Sequence, residues 1–362
     1  LAAVRTAIGA PSSLPVLAAD AGDPAALAGL VRRARVVLTT VGPYQLHGSS
    51  LVAACADAGV DYVDLCGEPL WMAEMIGRHQ AAAEASGARI VFSCGFDSVP
   101  FDLGVLYLQD EAQRRFGQPL ARVRGRVRRM KGTASGGTIA SLLATLEAAG
   151  RNPPLVQALG DPFLLTPGFS GPPQPEGESA WYDEAAQAWS GPFVMATINT
   201  KAVHRTNALR GHPWGTGFQY DERMLTGDGP AGERRARALE RTTRWQNRLL
   251  GFAPTRSLLA RFALPKPGTG PTAEQRERGF YELEFGGETA AGERLAATVR
   301  GDRDPGYGST SKLVAESALC LLDEIGPEMT GGGCWTPAAA MGLALQRRLH
   351  ERAGLSFEIQ GA

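Results

Sequence analysis

VVLTTVGPYQLHGSSLVAACADAGVDYVDLCGEP, residues 36–69, decides how the rest of the chain is read. It opens on a short apolar run, Val36 to Val41, closed by the turn dipeptide Gly42-Pro43. Leu51, Val52 and Cys55 then recur at helical spacing, and Gly59 supplies a stop. A second apolar run, Tyr62 to Leu65, follows at once. Strand, helix and strand at so short a pitch require parallel strands joined by a right-handed crossover.

Outward from this unit the alternation continues. Upstream, Leu14 to Ala19 predicts a buried strand, and Asp23-Pro24 predicts a helix start with Leu27, Leu30, Val31 and Ala34 on its inner face. Downstream, Met72, Met75, Ile76 and His79 mark a helix, Arg89 to Cys94 a strand, and Pro100 to Phe116 another helix. The fold class is therefore α/β, a doubly wound parallel sheet over residues 1–117. The pattern changes after Gly117. Ala121 to Met130 alternates, with Arg122, Arg124, Arg126 and Arg128 on one side and Val123, Gly125 and Val127 on the other, as in a half-exposed strand. Residues 151–192, rich in Pro and Gly, read as an irregular lid. Phe280 to Phe285 and Leu295 to Val299 read as a hairpin. Residues 118–303 are thus expected to form a second, α+β domain that makes the substrate cleft. Helices in 304–362 are expected to pack back on the first domain.

A chain of 362 residues with 44% hydrophobic and 20% charged residues is of ordinary globular composition and comfortable for two domains. Its zero net charge excludes the basic excess that nucleic-acid binding requires. Five scattered cysteines, Cys55, Cys66, Cys94, Cys320 and Cys334, without a CxxC pair, argue against both a disulfide framework and a zinc site. They fit a reducing cytoplasm. No apolar run is long enough to span a membrane, so membrane association, if any, is expected to be peripheral. The first residue is Leu1, and the expectation is that the sequence begins partway through its first domain.

Ligands of an open parallel sheet bind at the carboxyl ends of its strands. Four such ends are readable. Asp20 is placed to accept from an adenine amine, with an exposed loop aspartate as the equal alternative. Thr39-Thr40-Val41-Gly42-Pro43-Tyr44 combines close backbone approach at Gly42 with a stiffened turn at Pro43 and a stacking face and hydroxyl at Tyr44. Asp64-Leu65-Cys66-Gly67-Glu68 carries two carboxylates, of which Glu68 could simply complement the helix opened by Pro69. In Ser93-Cys94-Gly95-Phe96-Asp97-Ser98, Gly95 and Phe96 could wall a nicotinamide, while Asp97 or Ser98 could cap the next helix. A GxGxxG phosphate loop is missing. The glycine-rich runs Gly132 to Gly137 and Gly331 to Gly333 read as a turn and as a loop before Trp335.

The words TTVGPYQLHG (39–48), YVDLCGEP (62–69), SCGFDSVPFDLG (93–104), GTASGGTIASL (132–142), LPKPGTGP (264–271), DPGYGSTSKLVAESALCLL (304–322) and GGGCWTPAAAMG (331–342) span nearly the whole chain. Together the chain resembles the saccharopine-dehydrogenase-like oxidoreductases, and within them the bacterial branch that includes the mycobacterial trans-acting enoyl reductases. The resemblance implies a Rossmann domain binding NADP(H), with NAD(H) as the alternative and no metal. It implies an unsaturated acyl substrate of lipid assembly, presented as a small molecule or on a carrier. Thr40, Val41, Gly42, Pro43 and Tyr44 would line the cofactor, and Gly95, Phe96 and Asp97 would lie beside the nicotinamide. The family's opening strand and glycine-rich loop would fall upstream of Leu1, so this piece alone is expected to lack the phosphate cradle and with it activity.

By chemistry alone the proton donor is one of Tyr44, Asp97, His204, Tyr307 and Lys312, with Tyr44 and Asp97 foremost. Two other functions stay open at this point. One is a non-catalytic lipid-binding or scaffolding protein that uses Trp181 to Trp189. The other is a saccharopine-type amino-acid dehydrogenase that uses the Arg122–Arg128 row for substrate carboxylates.

Overall fold

The computed structural model describes residues 1–132, 136–152, 154–252, 254–256 and 270–361. A parallel sheet of four strands is ordered β1 (Val36–Leu38), β2 (Asp61–Val63), β3 (Arg89–Val91) and β10 (Gly333–Trp335). Helices α1 (Ala2–Ala7), α2 (Pro24–Val31), α3 (Tyr44–His47), α4 (Ser49–Ala58), α5 (Pro69–Ser86) and α6 (Val99–Phe116) accompany it. The expected start of α2 is realised: the Asp23 carboxylate accepts from the N–H groups of Ala25 (2.9 Å) and Ala26 (3.2 Å). Gly59 ends α4 in the left-handed region, where an added Cβ would lie 2.8 Å from the Ser86 carbonyl.

The second sheet has seven strands, ordered β11-β9-β8-β4-β7-β6-β5. Its members are β4 (Leu120–Lys131), β5 (Trp181–Asp183), β6 (Ala188–Gly191), β7 (Gln219–Gly227), β8 (Phe280–Thr289), β9 (Arg294–Gly301) and β11 (Leu355–Ile359). Helices α7 (Gly136–Arg151), α8 (Pro154–Gly160), α9 (Ala196–Leu209), α10 (Gly229–Gly251) and α11 (Ala273–Glu277) accompany it in the chain, with α9 and α10 packed on β7. Helix α6 lies between the sheets and touches the second directly, since a Cβ on Gly104 would be 2.5 Å from the Phe285 ring. The C-terminal helices α12 (Thr310–Asp323) and α13 (Pro337–Arg352) pack on one another, and α12 lies across β1 and β2. Arg89 ties this arrangement together. Its Nε donates to Asp61 on β2 (3.0 Å), and its Nη atoms donate to the carbonyls of Leu321 (3.0 Å) and Ile325 (2.5 Å).

Three expectations need correction, and a fourth holds with one exception. Leu14 to Ala19 is not a strand: no described segment pairs with it, and Leu14, Val16 and Leu17 stay 46%, 41% and 44% exposed. An extended run without a ladder neighbour leaves its backbone groups to water and buries nothing. Gly331 to Gly333 is not only a loop, because Gly333 starts β10, which completes the edge of the parallel sheet beside Arg89. Residues 151–192 are not wholly irregular. They include α8, a buried Leu165, and the hairpin β5–β6 that extends the second sheet. Finally, β4 is half-exposed as its alternation predicts except at Arg126, which is buried between Asp183 and Asp221. Residues 133–135 of the first glycine-rich run, and 264–269 of the word at 264–271, lie outside the described residues.

Candidate functional site

The carboxyl ends of β1, β2 and β3 are stitched to one another by side chains from their own loops. After β2, the Asp64 carboxylate accepts from the N–H groups of Cys66 (3.0 Å) and Ser93 (2.9 Å) and from the Tyr62 hydroxyl (2.9 Å). The Ser93 hydroxyl donates to the Cys66 carbonyl (2.6 Å), joining the second and third tips. Tyr44, buried against Trp71, joins the first to the second: its hydroxyl donates to the Thr39 carbonyl (3.2 Å) and accepts from Leu65 N–H (3.3 Å). Glu68 takes the backbone N–H groups of Tyr44 (2.8 Å) and Gln45 (2.9 Å) and the hydroxyl of Ser141 on α7 (2.6 Å). It therefore orders the 42–45 turn from below instead of capping its own helix, which answers the alternative weighed for it in the sequence.

The predicted residues separate accordingly. Thr40, Val41 and Gly42 are exposed at the tip of β1, and Pro43 is partly so. Asp20 is not brought to them. It sits in an exposed turn, accepting from Gly22 N–H (2.8 Å), because the strand it was to end does not form. Asp64 is enclosed and its oxygens are spent on three internal donors, so it organises the tips instead of facing them. Burial pushes its carboxyl up to about 7. The Tyr44 phenol is raised beyond its ordinary value by burial and then by Asp64, and its oxygen is engaged on both sides.

The third tip holds the reactive-looking group. Gly95 fits between Leu65 and Thr310, each 3.2 Å from where its Cβ would be. Phe96 donates its N–H to the Thr310 hydroxyl (2.9 Å) and sets its ring edge-on to Tyr281 (4.8 Å) and Phe101 (5.5 Å). Asp97 is half-buried, and its carboxyl meets no hydrogen-bond donor among the described residues. Desolvation alone pushes it up to about 7, so near neutrality it holds a proton for much of the time. The Ser98 hydroxyl beside it is buried without a partner among the described residues.

Across from this tip the second sheet presents side chains that the sequence reading had not singled out. Glu222 on β7 is buried, accepting from the Tyr220 hydroxyl (2.8 Å) and the Asn199 amide on α9 (2.9 Å). Burial above all pushes its carboxyl up to about 8. Alternation would have placed Tyr220 and Glu222 on one face, but nothing in the sequence says that Asn199 of α9 covers it.

The remaining proton-donor candidates differ in their surroundings. His204 is buried against Phe163 (ring centroids 4.7 Å apart) and is pushed down to about 3 by burial and then by Lys201, which makes it a neutral ring and no acid. Tyr307 lies in a π-type turn, Pro305–Ser309, and Lys312 in the first turn of α12. The arginine row turns to the outer face of the second sheet. Arg124 pairs with Glu288 (3.3 Å), Arg126 with Asp183 and Asp221, Arg128 with Glu284, and Arg122 lies 3.8 Å from Asp221. Opposed charges on adjacent strands neutralise it, and its register puts it opposite Val123, Gly125 and Val127, away from Asp97. It is therefore not placed to receive substrate carboxylates at this tip.

Replacing Asp64 tests the stitching. Asp64→Ala leaves three donors without an acceptor and is expected to cost about 3 kcal/mol. Because burial raises the carboxyl from 3.8 to about 7, its favourable contribution is complete at low pH and is lost as pH rises through 7. Asp64→Asn, which stays neutral, should thus gain in Tm relative to the parent as pH rises from about 4 to 7. A constant difference over that range would contradict the enclosed carboxyl.

The site thus combines an exposed backbone tip at 40–42 with a carboxyl at Asp97 and a hydroxyl at Ser98 that have no partner among the described residues. Among the described residues no group of His, Cys, Asp or Glu could hold a metal ion, and no helix is long and apolar enough to cross a membrane.

No family model matches the chain. A Mycobacterium tuberculosis protein that bears the name trans-acting enoyl reductase is 41% identical over 372 residues, covering 98% of this chain and 87% of the relative. The trans-acting enoyl reductase of Mycobacterium ulcerans is 38% identical over 363 residues, covering 96% and 86%. Among solved structures, apo saccharopine dehydrogenase (L-Glu forming) from Saccharomyces cerevisiae superposes with a TM-score of 0.56 at 12% identity, covering 99% of this chain and 91% of that one.

Proposed function

Because this chain belongs to the trans-acting enoyl reductase family, whose members it matches over nearly its whole length, we propose that it reduces the carbon–carbon double bond of an α,β-unsaturated acyl group at the expense of NADP(H). In this reading the acyl group is an intermediate of lipid assembly, carried as a small thioester or on a carrier. The observation that carries the reading is Asp97: a half-buried carboxyl without a partner among the described residues, at the end of the third parallel strand.

A bound nicotinamide supplies hydride to the β-carbon. The chain's own residues do the rest. Thr40, Val41 and Gly42 offer backbone groups to the nucleotide, held in place from beneath by Tyr44 and Glu68. Gly95 lets the third tip pack tightly against Leu65 and Thr310, and Phe96 is placed to wall the ring against water. Asp97 delivers the proton to the α-carbon, which balances the addition of one hydride and one proton across the double bond.

The test is direct. Purified protein is titrated with NADPH and NADH by fluorescence, then assayed for NADPH oxidation with a trans-2-decenoyl N-acetylcysteamine thioester, with saccharopine as the competing substrate. Saturable NADPH binding and turnover of the thioester alone support the reading. Absence of binding to either nucleotide by a folded, full-length protein would overturn it, and turnover of saccharopine would redirect it.

A further inference from the structure

We propose that the C-terminal half of α10 docks the protein on an anionic lipid surface, with Trp245, Leu249 and Phe252 entering the headgroup layer and Arg241 and Arg248 meeting lipid phosphates. The inference stands apart from the reading of Asp97, since it concerns where the protein meets lipid and not how it handles a proton.

The helix holds itself together locally. Asp228 opens it by accepting from Gly229 N–H (2.6 Å), and Glu233 with Arg237 (2.7 Å) and Glu240 with Arg244 (2.6 Å) brace it at i,i+4 spacing, the acid preceding the base. Its packed face is built from small residues and one leucine. A Cβ on Gly232 would stand 2.0 Å from the Gly227 carbonyl oxygen, Ala236 is buried, and Leu239 closes on Gly191 of β6. This packing stops partway along. Every residue from Arg244 to Leu249 is exposed, more than a full turn, so no side of that stretch is covered by the described residues. Trp245, Leu249 and Phe252 follow one another at steps of four and three, which sets them on one side, and they are 61%, 40% and 62% exposed. Large apolar side chains gathered on one exposed side mark a contact surface.

Charge says what makes the contact. Helix α10 carries six arginines against two glutamates, in a chain whose net charge is zero. Both glutamates are taken by Arg237 and Arg244, and Arg235 donates to the Thr226 carbonyl (2.8 Å). Arg234, Arg241 and Arg248 form no ion pair among the described residues, and their seven-residue spacing, two turns, sets them in one line along the helix. Arg241 precedes Trp245 by four residues and Arg248 precedes Phe252 by four, so the line runs beside the apolar side chains. Arginine along one side with Trp, Leu and Phe next to it is the pattern of a helix that lies in the plane of a membrane interface. Tryptophan settles at headgroup depth, and long arginine stems let the guanidinium reach phosphate while the helix sinks. A second copy docked on this face would bring one line of arginines against another, which opposes the pairing. No helix among the described residues is long and apolar enough to cross a membrane, so α10 lies on the surface.

Vesicle sedimentation tests the proposal on the whole purified chain. The protein is expected to sediment with vesicles of phosphatidylglycerol and phosphatidylcholine in equal parts, to stay in solution with phosphatidylcholine alone, and to be released by about 0.5 M NaCl. Arg241→Gln combined with Arg248→Gln should weaken binding to the mixed vesicles about thirtyfold, at about fivefold for each arginine lost. Trp245→Ala should weaken it as well and should diminish the blue shift in tryptophan emission that the vesicles cause. All three side chains are exposed, so Tm and turnover of the soluble thioester should stay those of the parent. A parent that does not sediment with the mixed vesicles overturns the proposal, as do variants that sediment like the parent or equal binding to neutral vesicles. If the parent ignores vesicles but forms a dimer that Trp245→Ala abolishes, or binds an acidic carrier domain through the same residues, the face belongs to a protein partner and the proposal falls. Failure of vesicle binding leaves the reductase assay untouched, and failure of that assay leaves vesicle binding untouched.

Discussion

Asp97→Asn is expected to lower kcat for thioester reduction by ~10²–10⁴-fold, the usual worth of a placed proton donor. NADPH affinity should stay within about twofold, since the change removes a proton without altering shape or crowding the strand tip. The variant should also lose the alkaline limb of the pH profile, because the group that titrates into it has gone. Circular dichroism and Tm should be at or above those of the parent at neutral pH: Asp97 accepts no hydrogen bond from a described residue that could be lost, and its carboxyl is desolvated. A fall in kcat together with a collapse of NADPH binding would mean that Asp97 shapes the nucleotide site and does not donate the proton. Equal kcat in variant and parent would remove it from the chemistry altogether.

Arg89→Ala is expected to destabilise the protein by about 3–5 kcal/mol, as breaking a buried ion pair from one side does. The loss leaves Asp61 uncompensated and frees the carbonyls of Leu321 and Ile325 at the end of α12. These contacts join β2, β3 and the C-terminal helix at the end of the sheet away from the strand tips. The fall should therefore show in denaturant midpoint and in hydrogen exchange of α12 before it shows in KM. Exchange in α12 unchanged from the parent would mean that α12 is held without this tie. Arg89→Lys should recover only part of the loss, since one ammonium cannot reach the carboxylate and both carbonyls in the guanidinium's fixed fork.

Local signals carried much of the architecture. The Asp23-Pro24 start, the Gly59 stop and the helical spacing of Met72, Met75 and Ile76 are decided within a few residues by capping and by one apolar face, and each is realised. The hairpin at 280–299 was readable from alternation, and only its ends extend further. Where a segment's fate depends on what lies beside it, the sequence misled. Leu14 to Ala19 is apolar enough for a strand but has no described neighbour to pair with, whereas the glycine-rich Gly333 becomes one because β3 offers an open edge.

The candidate site divides along the same line. Residue order alone pointed to the loops after the parallel strands, at 39–44, 64–68 and 93–98, as the candidate site, because strand polarity puts all those tips at one end of a sheet. It left Tyr44 and Asp97 together as the foremost proton donors. Only the tertiary structure decided what each carboxylate is for. Asp64 and Glu68 are consumed by backbone donors of neighbouring tips, Asp20 is left in water, and Asp97 remains without a partner among the described residues. It alone buried Glu222 of β7 under the hydroxyl of Tyr220 and the amide of Asn199. Hydrogen-bond saturation and desolvation are properties of a neighbourhood, and in this protein the neighbourhood is assembled from two sheets that no local pattern places face to face.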